Sequence, residues 1–325
     1  MTRTPAIAPA AVAGAAIPVL IALAALLAPW VAPSDPSFTY TGLLNAPPTR
    51  VHLRDADGSW HPPFVYAWRR LSQLEQTYEE DRQVRVPLVW LSSGRLLQSS
   101  QPDRAPLLLA GADSLGRDVF SRTIHGARLS LGVAVVAALG ALVLGMAAGS
   151  LAGYAGGVVD DLLMRASEVV LVLPTIYVVM ALRSVLPLVL TPAAVFALMV
   201  LLFSIVGAPI VARAVRGIVR SERRRDYATA AESLGASPAR VLVRHLLPAA
   251  IGVVFVQLIT LVPGFIVAEA TLSYVGFGFP DSVATWGTML HEATNVRAIA
   301  DFPWVLAPVV AMFLVVFGMN AVPKK

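Results

Sequence analysis

The stretch Asp226-Tyr-Ala-Thr-Ala-Ala-Glu-Ser-Leu-Gly-Ala-Ser-Pro-Ala-Arg-Val-Leu-Val-Arg-His-Leu-Leu-Pro248 decides how this chain is read. It is a polar, arginine-flanked segment set between two long apolar runs. Good helix formers fill Ser221 to Leu234, and Gly235 supplies the positive φ that ends a helix. Ser237 has the chemistry of an N-cap and Pro238 that of a first helical residue. The segment therefore predicts helix, glycine turn, helix. Ala230 and Ala231, small and just before the turn, let the first helix lie close in a partner's groove.

The rest of the chain explains what surrounds such a segment. Of 325 residues, 57% are hydrophobic and only 14% charged, more apolar surface than a soluble protein of this length can bury. Six runs are apolar enough to span a bilayer, near residues 11–31, 129–152, 168–190, 193–212, 248–272 and 303–321. The first is long and lacks a clear small-x-small cleavage site before Pro33, so it reads as a retained transmembrane helix. The second carries Gly132, Gly140, Gly145, Ala148, Gly149 and Gly153, which let helix backbones approach closely and place it inside a bundle. The expected fold is all-α, a polytopic membrane protein of about six transmembrane helices with a long extracytoplasmic segment after the first. The divisions are 1–31, an N-terminus with the first helix; 32–128, the extracytoplasmic segment and the approach to the second helix; 129–321, the core, with the polar loop 213–247; and a short tail, 322–325. Within the long segment, residues 66–83 read as helical, with Leu71, Leu74 and Tyr78 on one apolar face.

Charge placement gives orientation. Arg213, Arg216, Arg220, Arg223, Arg224, Arg225, Arg240 and Arg244 cluster in the loop between the fourth and fifth spans, whereas the loop before the fourth holds only Arg183. The positive-inside rule puts the arginine-rich loop in the cytoplasm and, with six spans, both termini too, in agreement with Arg3, Lys324 and Lys325. The net charge of +5 is thus a matter of topology and anionic lipid; no basic, aromatic-interleaved surface for nucleic acid is present.

Catalysis finds no footing. The chain has no cysteine, which excludes disulfides, thiol nucleophiles and cysteine-ligated metals. His52, His61, His125, His245 and His291 are scattered without a zinc spacing. There is no phosphate-cradling Gly-x-x-x-x-Gly-Lys-Ser/Thr loop and no Gly-x-Ser-x-Gly elbow. No catalytic residue, metal or cofactor is expected. Among charges near the spans, Glu168 and Glu269 stand out, because an intramembrane carboxylate is costly and often functional. Glu269 and Gln257 are candidates for a translocation path; interhelical hydrogen bonding is the plainer role for Gln257 and Thr260.

The order of residues in the opening stretch resembles the "EAA" loop of permease subunits in ATP-binding-cassette (ABC) importers, with Thr229 where that family often has its glutamate. Three further stretches are similar to the permease class of oligopeptide, dipeptide and nickel importers: Ala112-Asp-Ser-Leu-Gly-Arg-Asp-Val-Phe-Ser-Arg122 with His125 to Leu131, Gly157-Val-Val-Asp-Asp-Leu-Leu-Met-Arg165 running to Pro174, and Glu269 to Gly278 followed by Trp286 to Leu290. The resemblance covers about residues 111–321, in order. It implies a non-enzymatic subunit of a bacterial inner membrane importer, pairing with a second homologous permease, two ABC ATPase subunits and an extracytoplasmic solute-binding protein. It assigns ATPase coupling to Thr229, Ala230, Ala231, Glu232, Leu234, Gly235, Ala236 and Pro248. An ion-gradient-driven secondary transporter is the alternative; it explains the hydrophobicity but not the helix–glycine–helix.

Overall fold

The computed structural model describes residues 9–321, except 56, 175–176, 179–180 and 182–189. Arg3, Arg183, Lys324 and Lys325, much of the expected span 168–190 and the tail 322–325 lie outside the described residues. The chain divides into two compact units. One holds residues up to 131 together with 273–322, the other residues 132–272.

The first unit begins with α1 (Pro9–Leu26) and the single turn α2 (Ala28–Val31), which has Pro29 in its first turn. Residues 52–99 then form a four-stranded antiparallel sheet in the order β1 (His52–Arg54), β2 (Trp60–Ser72), β3 (Thr77–Ser92), β4 (Arg95–Ser99). This corrects two expectations: the chain is mostly helical but not all-α, and residues 66–83 are a hairpin, not a helix. Leu74, assigned to an apolar helix face, sits in the hairpin turn at 97% exposure, and Leu71 is 60% exposed. The spacing of Leu71, Leu74 and Tyr78 was coincidental. What counts is the period of two along β3, where Val86 and Leu88 point inward between exposed Arg85 and Pro87. Aromatic and β-branched residues on Trp60–Tyr66 and Val84–Trp90 suit a half-buried pleated surface. Val65, Val86, Leu88, Ala105 and Leu107 make its core.

The sheet is tied into the segment that precedes the next helix. Thr49 N–H donates to the Leu108 carbonyl at 2.8 Å, Ala112 N–H to Ala46 at 2.8 Å, Asn45 N–H to Asp113 at 2.9 Å and Tyr40 N–H to Gly116 at 2.9 Å. Gly116 has φ +77°, and a Cβ there would lie 2.3 Å from the Tyr40 carbonyl oxygen, so only glycine lets the strands of this segment meet.

The long helix α3 (Val119–Ala155) follows, then α4 (Gly157–Val172), α5 (Pro192–Glu222), α6 (Asp226–Ser233) and α7 (Pro238–Val241). A π-helical turn, Leu242–Leu246, leads into α8 (Leu247–Tyr274). Pro248 has no N–H to return to the Arg244 carbonyl, a local reason for a widened turn here. The first unit resumes with α9 (Trp286–Met289), α10 (Val296–Asp301) and α11 (Ala307–Ala321), the last packed against α1.

Among the described residues, four helical stretches are long and apolar enough to cross a membrane: Val119–Ala155, Pro192–Glu222, Pro238–Tyr274 and Pro303–Ala321. A shorter apolar helix covers Ala16–Leu26. In the second unit the glycines of α3 do what their spacing predicts. A Cβ on Gly145 would lie 2.5 Å from Val211 Cβ, and one on Gly149 would lie 2.4 Å from the Ala212 carbonyl oxygen, both on α5. The two backbones touch because no side chain stands between them.

Candidate functional site

The arginine-rich segment folds as helix, glycine turn, helix. The first helix starts at Asp226, not Ser221, because α5 runs on to Glu222 and a turn intervenes. At its other end Gly235 N–H donates to the Glu232 carbonyl and Ala236 N–H to Ala231, each at 3.0 Å. These are the two bonds of a Schellman turn. Gly235 has φ +82°, yet a Cβ there would meet nothing within 4 Å. Backbone conformation, not crowding, calls for glycine. Ser237 takes the backbone geometry of an N-cap ahead of Pro238, but its hydroxyl makes no capping bond.

This segment brings most of the expected coupling residues to one surface. Thr229, Ala230, Glu232, Leu234 and Gly235 are exposed, Ala231 and Ala236 half-buried, and Ala228 fully enclosed. Pro248 is exposed too, but stands apart at the start of α8. Leu234 is 88% exposed, a large apolar side chain left in the open at the end of a short helix.

Several contacts hold that helix. Tyr227 Oη donates to Glu222 Oε2 at 2.6 Å. Tyr154, near the end of α3, donates through Oη to Glu232 Oε1 at 3.1 Å. Arg223 donates to the Tyr154 carbonyl and stacks over its ring, 4.3 Å from the centroid. Deeper in, Asp160 on the first turn of α4 accepts from Arg216 Nε and, at 2.5 Å, from Arg216 Nη2, while Arg220 Nη1 lies 3.6 Å away. The Arg216 bonds hold the Asp160 carboxyl below its usual range. Sequence reasoning gave Tyr154 and Asp160 no role. A carboxylate flanking an apolar span, with arginines elsewhere to meet it, was the signal available.

Gln257 is half-buried and Glu269 fully buried, both on α8. They are 12 residues apart, about 120° around the helix at 100° per residue, so they face different sides. Thr260 returns its hydroxyl to the Val256 carbonyl at 2.9 Å, and Glu168 is exposed on α4.

A second polar cluster precedes α3. Asp113 accepts from Arg117 N–H at 2.8 Å and from Arg117 Nε at 2.6 Å, with Arg122 Nε 3.6 Å away. Arg117 and Arg122 both donate to the Asp281 carbonyl, at 3.2 and 3.4 Å. Asp118 caps α3, accepting from Phe120 N–H at 3.0 Å and the Ser121 hydroxyl at 2.5 Å; burial pushes its carboxyl up to about 6. Trp286 is fully buried and donates to the Thr123 carbonyl at 3.1 Å. Its charged groups largely satisfy one another, so the cluster reads as a brace. In the sheet, Asp55, Asp57 and His61 bring possible metal-ligand atoms within 4.8 Å of one another. Arg85 pairs with Asp55 at 2.9 Å and donates to His61, so a guanidinium already engages two of the three.

Residues 122–323 match the model of a family described as "Binding-protein-dependent transport system inner membrane component". The chain is 37% identical over 213 residues to the oligopeptide transport system permease protein OppC of Bacillus subtilis (strain 168), covering 65% of this chain and 67% of that protein. It is 40% identical over 182 residues to the dipeptide transport system permease protein DppC of the same strain, covering 56% of this chain and 55% of that one. A probable peptide ABC transporter permease protein of Sinorhizobium fredii (strain NBRC 101917 / NGR234) is 38% identical over 210 residues, covering 65% of this chain and 69% of that one. The match thus spans about two thirds of the first relative and just over half of the second.

Proposed function

The chain belongs to the family of binding-protein-dependent transport system inner membrane components, and from that premise we propose that it forms half the translocation pore of an ATP-driven importer of peptides or similar small solutes. A second homologous permease supplies the other half. Two ABC ATPase subunits dock on the arginine-rich loop, which lies in the cytoplasm with both termini, and a solute-binding protein delivers cargo on the other side. ATP hydrolysis belongs to the partners.

One observation carries this reading: an exposed helix–glycine–helix that leaves Leu234 uncovered at its tip. An apolar side chain on a short, well-terminated helix is what a helix-in-groove contact requires. Thr229, Ala230, Ala231, Glu232, Leu234, Gly235, Ala236 and Pro248 are the coupling residues, some meeting the ATPase and others setting the pose of the helix that does. Closure of the ATPase pair moves this helix and shifts the permease pair between inward-open and outward-open states, through differential binding to the two. Gln257 and Glu269 are the polar groups we place on the path. Glu269, enclosed here, meets cargo only when the helices part.

Co-purification from solubilised membranes tests the coupling assignment, with wild type beside Gly235→Asp. Wild type is expected to bring down an ATPase and a second permease, and the variant to lose the ATPase while still inserting. Wild type purifying without an ATPase, even after cross-linking, defeats the reading.

A further inference from the structure

We infer that Tyr154 is a positioning residue that sets the pose of the coupling helix α6, and that Glu232 is its tether and not part of the docking face. The inference deepens the proposed importer role and rests on it. Tyr154 is the penultimate residue of α3, and two other elements grip its single side chain. Arg223, just past α5, stacks on the ring face and donates to the backbone carbonyl. Glu232, on the last turn of α6, accepts the phenol proton at 3.1 Å.

The geometry of α6 separates two faces. Glu232 is four residues after the enclosed Ala228, so the two share one side of the helix, with Glu232 at its exposed end beside Tyr154. Ala230 and Leu234 are each two residues from Glu232, about 160° around the helix, and both are exposed. The docking surface is then Ala230 and Leu234 with the glycine turn. The first turn is hooked to α5 by Tyr227 on Glu222, whereas the last turn is hydrogen-bonded to α3 through Tyr154. The direct route by which force applied at Leu234 reaches α3, a membrane-crossing helix, is therefore this phenol–carboxylate bond. A hydrogen bond to a charged acceptor is among the stronger ones available at a surface.

The test uses the full importer in lipid nanodiscs, with Tyr154→Phe, Glu232→Ala, their double variant and Glu232→Gln. Phenylalanine keeps the ring for Arg223 and removes only the donor; glutamine keeps an acceptor. Two quantities are read: hydrogen exchange of amides 228–236, and cargo moved per ATP hydrolysed. Tyr154→Phe and Glu232→Ala are each expected to speed exchange about tenfold, the scale of one lost bond to a charged group. The double variant should add little, and Glu232→Gln should stay near wild type. Cargo per ATP should fall several-fold while the ATPase still co-purifies. Unchanged exchange in Tyr154→Phe overturns the inference. So does loss of the ATPase in Glu232→Ala alone, which makes Glu232 a docking contact. A wild type that brings down no ATPase sinks the importer reading instead, and the exchange data still decide the tether.

Discussion

Asp160 and Arg216 meet in a two-point fork, both carboxylate oxygens facing the guanidinium, and so fasten the first turn of α4 to the last third of α5. Asp160 is 5% exposed. Removing Arg216 strands a carboxylate with little water to solvate it.

Asp160→Asn and Arg216→Ala should each destabilise the purified protein, by roughly 1.5–3 kcal/mol for a hydrogen-bonded charge. Arg220→Ala should cost less, since Arg220 stands further off and is half exposed. Thermal unfolding in detergent ranks the three. Equal midpoints for Arg216→Ala and Arg220→Ala contradict the fork.

The α3–α5 contact makes a paired prediction from two glycines. Gly149→Ala drives a methyl into the Ala212 carbonyl, whereas Gly217→Ala enters open space on the same kind of helix. The first should lose about 1–3 kcal/mol to overpacking. The second should gain up to about 1 kcal/mol from helix propensity. Opposite shifts of the unfolding midpoint confirm the packing; shifts of the same sign do not.

Asp118 predicts a pH effect. Its folded carboxyl titrates near 6 against 3.8 for the unconstrained group. The folded state therefore holds a proton that the unfolded state has released. This contribution is fully present below the unfolded value and is lost as pH rises through 6. Thermal stability should rise from pH 7 to pH 5, by roughly 1.3 kcal/mol from this group. Glu292, also raised by burial, adds in the same direction. Asp160, lowered by Arg216, opposes it only at more acid pH. Asp118→Asn keeps the capping oxygen and should flatten the profile; an unaltered profile removes Asp118 as its source.

At Gly235 the prediction turns on φ. Asparagine tolerates the left-handed region and valine does not. Gly235→Asn should retain most ATPase binding and transport, whereas Gly235→Val should lose both while inserting normally. Full uptake by the valine variant contradicts a requirement for this turn.

What could be read from residues alone depended on how local the physics was. Gly140, Gly145 and Gly149 announced a close helix contact because only small residues permit one, and Gly235 announced a turn because few other residues accept its φ. The sheet was missed because the charged stretch from Arg69 to Arg82 has no clean alternation, and three apolar residues in it fell by chance at helical spacing. Bulges between Tyr66 and Ala67 and between Arg70 and Ser72 break the period of two where it would have been seen. The Asp160–Arg216 pair joins residues 56 positions apart, a partnership that neither sequence neighbourhood specifies.

Thr49 and Leu108, the residues flanking the sheet, are hydrogen-bonded to each other on both sides: Thr49 N–H to the Leu108 carbonyl at 2.8 Å, and Leu108 N–H to the Thr49 hydroxyl at 3.0 Å. The 58 residues between them leave and return through one gap scarcely wider than a strand pair. Such a gap is a socket: a short turn is long enough to join Thr49 to Leu108 directly, and what the sheet adds beyond that joint is a set of separable contacts such as Tyr78 Oη on the Leu44 carbonyl and Asn45 on Gln76.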